Sequence, residues 1–285
     1  MFKSQGRVGI PVLFIFLFLP IILPVAGQEQ LDGFRGDPYP THPSRVPTTK
    51  GDWPGEYTFV RIIYDSPDPP YNEYNNWFGG AWRVDYPAAD ENFMMGIREW
   101  AGSNLYLSGQ PVQLRATDEH LFDYPFAYIV EPGHMELTDK DAAALREYLM
   151  RGGFLVTDDM WGADAWEVFR DTMQRVLPGR QIPDLDESDP VMHVLYDIRE
   201  KDRTFIPGSR HLWRRGDSVQ VMQPPGTNPA WRGIYDDRNH MVVSVNYDTD
   251  IGDAWEFADV PYYPEAMTAL AYRYGINYII YSITH

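Results

Sequence analysis

The sequence predicts an α/β fold: an open, mostly parallel sheet with helices on both faces, carrying an irregular insertion and a C-terminal hairpin. Three observations carry that expectation. Short β-branched or aromatic runs alternate with segments of helical period, in the order strand, helix, strand, strand, helix, strand, helix. Residues 153–157, Gly-Phe-Leu-Val-Thr, are almost wholly apolar, which suits a strand covered on both faces. The chain has 285 residues, 44% of them hydrophobic, enough to bury a sizeable core in one domain.

Two segments of different character precede that domain. Lys3 and Arg7 lead into the apolar run 8–25, and Val25, Ala26 and Gly27 supply small residues for cleavage before Gln28, so residues 1–27 read as a signal peptide. Retained uncleaved, the run would be a membrane anchor, short for a bilayer and interrupted by Pro11, Pro20 and Pro24. Either reading exports the domain. Residues 28–55 hold Pro38, Pro40, Pro43, Pro47 and Pro54 with Gly33, Gly36, Gly51 and Gly55, and show little periodic hydrophobicity. Such a stretch cannot bury enough apolar surface to offset its ordering entropy, and reads as a linker.

The body, 56–285, reads as a single domain. Residues 58–64 are β-branched and aromatic and predict the first strand. Residues 88–101 put Phe93, Ile97 and Trp100 on one helical face, with Asp90 and Glu91 in the first turn, where they suit the helix dipole. Short strands follow at 111–117 and 126–130. Thr138 and Asp141 have capping-box spacing, opening a helix that turns Leu145 and Leu149 inward and ends at Arg151-Gly152. After the strand at 153–157, Trp166, Phe169, Met173 and Val176 mark another amphipathic helix, closed by Pro178-Gly179. Residues 180–230 form an irregular insertion in which only 218–222 is strand-like. Residues 232–235 and 241–247 flank Asp236-Asp237-Arg238-Asn239 as a hairpin. A last helix begins near Pro264, with Met267, Leu270, Ala271, Tyr274 and Tyr278 on one face.

Composition narrows the function. With 24 basic and 41 acidic side chains the formal charge is −17, and loss of residues 1–27 removes two bases and no acid, giving −19. A phosphate backbone is bound through Lys and Arg, so nucleic acid is excluded as a partner. The absence of cysteine excludes disulfides, thiolate metal sites, cysteine nucleophiles and a lipobox anchor. An exported chain held together by its core alone fits a bacterial periplasmic or secreted setting.

In open α/β sheets ligands bind outside the carboxyl ends of the strands. The residues after the expected strands are Asp65; Glu131 with His134; Asp158 and Asp159; and Asn246 with Asp248. Glu131, His134, Asp158 and Asp159 are the catalytic candidates: carboxylates suit general acid–base work or a hard divalent cation, and His134 could add a nitrogen ligand or shuttle a proton. Capping of a helix or turn is the competing role for Asp158 and Asp159, and a turn histidine for His134. No cofactor is identified beyond a possible divalent cation, and no metal ligand set is assigned. Rings total 15% of the chain, and Tyr71, Tyr74, Trp77 and Trp82 cluster with Asn72, Asn75 and Asn76 in a loop suited to sugars or a partner surface. With Asp65 and Asn246 they are the ligand-binding candidates.

Several segments resemble a bacterial family known as domain of unknown function 4159: Val84-Asp85-Tyr86-Pro87-Ala88-Ala89-Asp90-Glu91-Asn92-Phe93, Phe122-Asp123-Tyr124-Pro125-Phe126, Leu145-Arg146-Glu147-Tyr148-Leu149 through Arg151-Gly152-Gly153-Phe154, the run 248–259, and Tyr272-Arg273-Tyr274-Gly275-Ile276-Asn277-Tyr278. The resemblance implies a flavodoxin-like fold similar to class I glutamine amidotransferases and trehalose-utilisation-type proteins. In the amidotransferases a cysteine sits on a strand-to-helix turn; the comparable turn here is Glu131-Pro132-Gly133-His134, without cysteine, so that chemistry is excluded. The resemblance transfers no catalytic residue. The expectation is an exported envelope domain that binds a protein partner or a small-molecule or glycan ligand; the alternative is a carboxylate- or metal-dependent hydrolase acting on an envelope glycan or related substrate.

Overall fold

The computed structural model describes residues 57–67, 80–101, 110–215 and 218–285. The expected signal peptide and linker, and Tyr71, Tyr74 and Trp77, lie outside the described residues. Among the described residues no helix is long and apolar enough to cross a membrane.

One sheet organises the chain. Strands β1 (Val60–Ile63), β2 (Val112–Arg115), β3 (Phe126–Val130), β4 (Phe154–Met160), β7 (Ala230–Tyr235) and β8 (Met241–Tyr247) lie in the order β2-β1-β3-β4-β8-β7. All neighbours are parallel except β7, which pairs antiparallel with β8 as the expected hairpin. With β8 as the fifth parallel strand this is the doubly wound 2-1-3-4-5 order, whose strand direction of growth reverses between β1 and β3. The insertion adds a separate two-stranded hairpin, β5 (Leu212–Arg215) and β6 (Ser218–Val221). The sequence pattern showed β6 but not β5.

Helices α1 (Ala88–Ala101), α2 (Asp139–Met150), α3 (Gly162–Val176), α4 (Ile251–Glu256) and α5 (Glu265–Thr284) cover both faces. The period-2 alternation of β3 divides the core between them. Phe126, Tyr128 and Val130 point to the face covered by Phe93 and Ile97 of α1, Trp255 of α4 and Tyr274 and Tyr278 of α5. Ala127 and Ile129 point to the other, under Leu145 and Leu149 of α2 and Phe169 and Met173 of α3. Trp100, expected on the inner face of α1, is largely exposed at the helix end and stands beside Tyr196. The capping box of α2 is as expected: Asp141 N–H donates to Thr138 Oγ1 at 3.2 Å, and Thr138 N–H to Asp141 Oδ2 at 3.0 Å.

Two differences bear on the site. β4 continues to Met160, so Asp158 and Asp159 lie inside the strand rather than after it; pairing with β3 persists to Asp158 and outweighs the charge. And α4, too short to show an amphipathic period, follows β8 directly.

Candidate functional site

The carboxyl ends of the parallel strands carry a rim of acids drawn from four places in the chain. Arg61 in β1 builds one side. It is fully buried, its Nε donates to both Asp90 oxygens at 3.0 Å, and its Nη1 donates to the carbonyls of Trp82 (3.2 Å) and Val84 (2.9 Å). This one guanidinium ties the start of α1 to the turn before it and sets the place of Asp85.

Asp158 and Asp159 come from β4 but do different things. Successive strand residues ordinarily face opposite sides. Here the β4–β8 register shifts between Thr157 and Met160, and Asp159 takes a left-handed backbone, φ 55°. Such a bulge re-aims a side chain, and both carboxylates end up buried at the rim. Asp158 is saturated: Oδ2 accepts from Ile251 N–H (2.9 Å), Gly252 N–H (2.8 Å) and the Tyr128 hydroxyl (3.1 Å), and Oδ1 from Asn246 Nδ2 (3.1 Å). It holds the first turn of α4 onto the sheet. Asp159 accepts from Trp161 Nε1 and, at 3.5 Å, from Arg210, a half-exposed side chain of the insertion.

Past β8, Asp250 caps α4 by accepting from Asp253 N–H at 2.8 Å, and Asp253 accepts from Ser209 N–H of the insertion. Spaced three apart, Asp250, Asp253 and Glu256 share one face of α4. Carboxylate oxygens of Asp85, Asp253 and Glu256 lie within 4.8 Å of one another, and so do those of Asp85, Asp159 and Asp250. Asp85 belongs to both groups, and its Oδ2 is buried with no hydrogen-bond partner among the described residues. Asp85 also has a left-handed backbone, φ 62°, as do Glu131 (49°) and Asp248 (52°). Aspartate tolerates this conformation; for Glu131 it is uncommon, and such strain is concentrated at sites with work to do.

Several of the rim acids resist ionisation. Burial, then Asp253, Glu256 and Asp159, push the Asp85 carboxyl well above the usual carboxylate range; burial, then Asp159 and Asp253, do the same to Asp250. Glu131 is raised to about 7 by burial and Asp159, against the pull of His134, whose Nε2 lies 3.2 Å from its carboxylate. Asp158 also reaches about 7, from burial and Asp159, against its hydrogen bonds. Burial and then Arg210 hold His211 down to about 4. Closely placed carboxylate oxygens are the donor set hard cations take, with release of any proton they hold.

A family model described as domain of unknown function (DUF4159) matches residues 58–283. The chain belongs to that family. Comparison with curated proteins returns no significant match.

Within this DUF4159 domain the residues expected from the sequence are dispersed over several roles. Glu131 pairs with His134 at the end of β3, close enough to Asp159 and Arg210 to feel both. Asn246 is buried in a chain of hydrogen bonds, accepting from the Tyr278 hydroxyl at 2.7 Å while donating to Asp158. Asp248 accepts from the N–H groups of Gly162 (2.8 Å) and Asn228 (2.7 Å). Asp65 is exposed and paired with Arg115 at 2.8 Å. Trp82 is half-buried, its ring 6.2 Å from that of Tyr86. Asp85, Asp250, Asp253, Glu256 and Arg210 were not among the expected residues. The spacing of Asp250, Asp253 and Glu256 was a usable signal; nothing local marks Asp85 or Arg210, which the fold brings in. A cavity of about 500 Å³ opens at the other end of β4 and β8. Its Asp236 is occupied in a turn, accepting from the N–H groups of Arg238 and His240, so it offers no comparable donor set.

Proposed function

We propose that this DUF4159 protein is an exported cell-envelope domain whose acidic rim takes a hard divalent cation and, through it, an oxygen-rich small-molecule or glycan ligand. One observation carries the cation: Asp85 Oδ2, buried and without a hydrogen-bond partner among the described residues, in contact range of other carboxylates, of which those of Asp250 and Asp253 are pushed above the usual carboxylate range by burial and then by neighbouring acids. An orphaned buried acceptor costs about 1–3 kcal/mol, a cost an ion would lift. The basic start and apolar run of residues 1–27 support export to a periplasmic or extracellular setting, and N-terminal sequencing of the protein recovered from the envelope tests it, with Gln28 as the expected first residue.

The test of the cation is thermal unfolding in chelator and after adding back Ca²⁺, Mg²⁺ or Mn²⁺. A ligand at a hundred times its dissociation constant stabilises by about 2.7 kcal/mol, a rise of about 5 °C or more at this size. A smaller rise in Asp159→Asn ties it to the rim. A melting temperature indifferent to all three ions ends the proposal.

A carboxylate- or metal-dependent hydrolase is the second reading, favoured by Glu131: strained in backbone, raised to about 7 and beside His134, it suits proton transfer at neutral pH. Asp158, saturated as a cap, leaves the ligand role to Asp159. Turnover of envelope glycan fragments that is lost in Glu131→Gln with cation binding intact would establish this reading.

A further inference from the structure

The proposed cation site holds more carboxylates than one ion needs, and they fall into two groups that meet at a single residue. Oxygens bound to one Ca²⁺ at the usual separation cannot be more than about 5 Å apart. The oxygens of Asp85, Asp253 and Glu256 satisfy that limit, and independently so do those of Asp85, Asp159 and Asp250. We infer that the rim is a two-cation centre in which the Asp85 carboxylate bridges the ions, one held with Asp253 and Glu256, the other with Asp159 and Asp250.

Three further features agree with this division. First, among the described residues Asp85 has the one oxygen of the five acids that is buried without a hydrogen-bond partner, free to take an ion. Second, backbone without a side chain is brought against both groups. A Cβ on Gly252 would lie 2.7 Å from Asp85 Oδ2, and one on Gly208 would lie 2.8 Å from Asp250 Oδ2 and 3.1 Å from Asp253 Oδ2. Third, two ions match the charge of the five ligands better than one. With the Arg210 guanidinium beside Asp159, two divalent cations would offset all five ligand carboxylates, whereas one cation would leave two of those negative charges uncompensated. The donors are all oxygen, so the ions are hard ones: Ca²⁺, Mg²⁺ or Mn²⁺. A carboxylate-bridged pair can hold both oxygens of a ligand and, in the hydrolytic reading, generate a nucleophilic hydroxide from bound water.

This inference rests on the single-cation reading, and stoichiometry separates the two. Calorimetric titration of the chelator-treated protein with MnCl₂ should give two equivalents per chain, with exchange coupling in the Mn²⁺ paramagnetic resonance spectrum at saturation. Glu256→Gln should remove one equivalent and Asp159→Asn the other, each abolishing the coupling; Asp85→Asn should do most damage to both. Near-ultraviolet circular dichroism of each variant checks folding, and the two outer variants keep the test usable if Asp85→Asn does not fold. One equivalent in the parent protein overturns the pair and leaves the single-cation reading standing. No binding overturns both. Two equivalents without coupling overturn the bridge.

Discussion

Gly252 and Asp85 meet so closely that no side chain fits between them: a Cβ at 252 would lie 2.7 Å from Asp85 Oδ2, and equally close to the Tyr128 hydroxyl. The backbone of α4 is thereby pressed onto the rim, where Gly252 N–H also reaches Asp158 at 2.8 Å. Glycine is needed here for room rather than for an unusual dihedral angle.

Gly252→Ala is therefore expected to push Asp85 and the start of α4 apart. Overpacking of this kind costs about 1–3 kcal/mol, read as a lower denaturant midpoint in chelator. The stabilisation on adding Mn²⁺ should shrink as well. An undiminished gain would mean that Asp85 is not a ligand.

Asp158 and Asp159, neighbours in β4, should respond oppositely. Asp158→Ala leaves the N–H groups of Ile251 and Gly252, the Tyr128 hydroxyl and Asn246 without their acceptor, a loss of about 2–4 kcal/mol. Asp159→Asn removes the charge that raises Asp158, Glu131, Asp85 and Asp250 together. In chelator it should leave stability unchanged or raise it, while the response to cation shrinks. Unfolding curves of both variants, with and without ion, decide this.

Arg61 and Asp90 form a fully buried pair that places the Asp85 turn. Arg61→Met strands the Asp90 carboxylate and should cost about 3–5 kcal/mol. Adding Asp90→Leu should recover most of that stability but not the cation response, because the carbonyls of Trp82 and Val84 still lack their donor. Full recovery of ion binding in the double variant would show that Asp85 is placed by something else.

The chelated protein should become more stable as pH falls from about 7.5 to about 5.5, the reverse of ordinary acid denaturation. Glu131 and Asp158 keep protons to about 7 when folded, against ordinary values of 4.5 and 3.8. Between those limits the native state binds more protons than the unfolded one, so stability drops as pH rises, by at most about 1.4 kcal/mol per pH unit for each group. Asp85 and Asp250, raised by burial and by the surrounding acids, act in the same direction. His211 opposes them: held to about 4 against 6.5, it contributes stability that is lost as pH falls through that window. Four carboxyls outweigh one imidazole. A melting temperature in chelator that climbs steadily with pH would contradict the burial of these acids.

What the chain order and local pattern determine is the scaffold. The runs at 126–130 and 241–247, the helical period of 88–101, the Thr138–Asp141 capping box and the apolar 153–157 stretch each express a preference satisfied within a few residues or by generic burial, and all are elements of the structure. Local pattern also placed acids at the strand ends, because a doubly wound sheet puts its crevice there. What only the tertiary structure decides is which acids converge. Asp85 reaches the rim because Arg61, from β1, holds the carbonyls of its turn; Asp159 is turned inward by a bulge defined against β8; Arg210 arrives from the insertion; and Asp158 is withdrawn into capping a helix nearly a hundred residues on. None of these is a property of spacing along the chain. Each depends on a hydrogen bond or a register between segments far apart in sequence, and those exist only once the two faces of the sheet have packed.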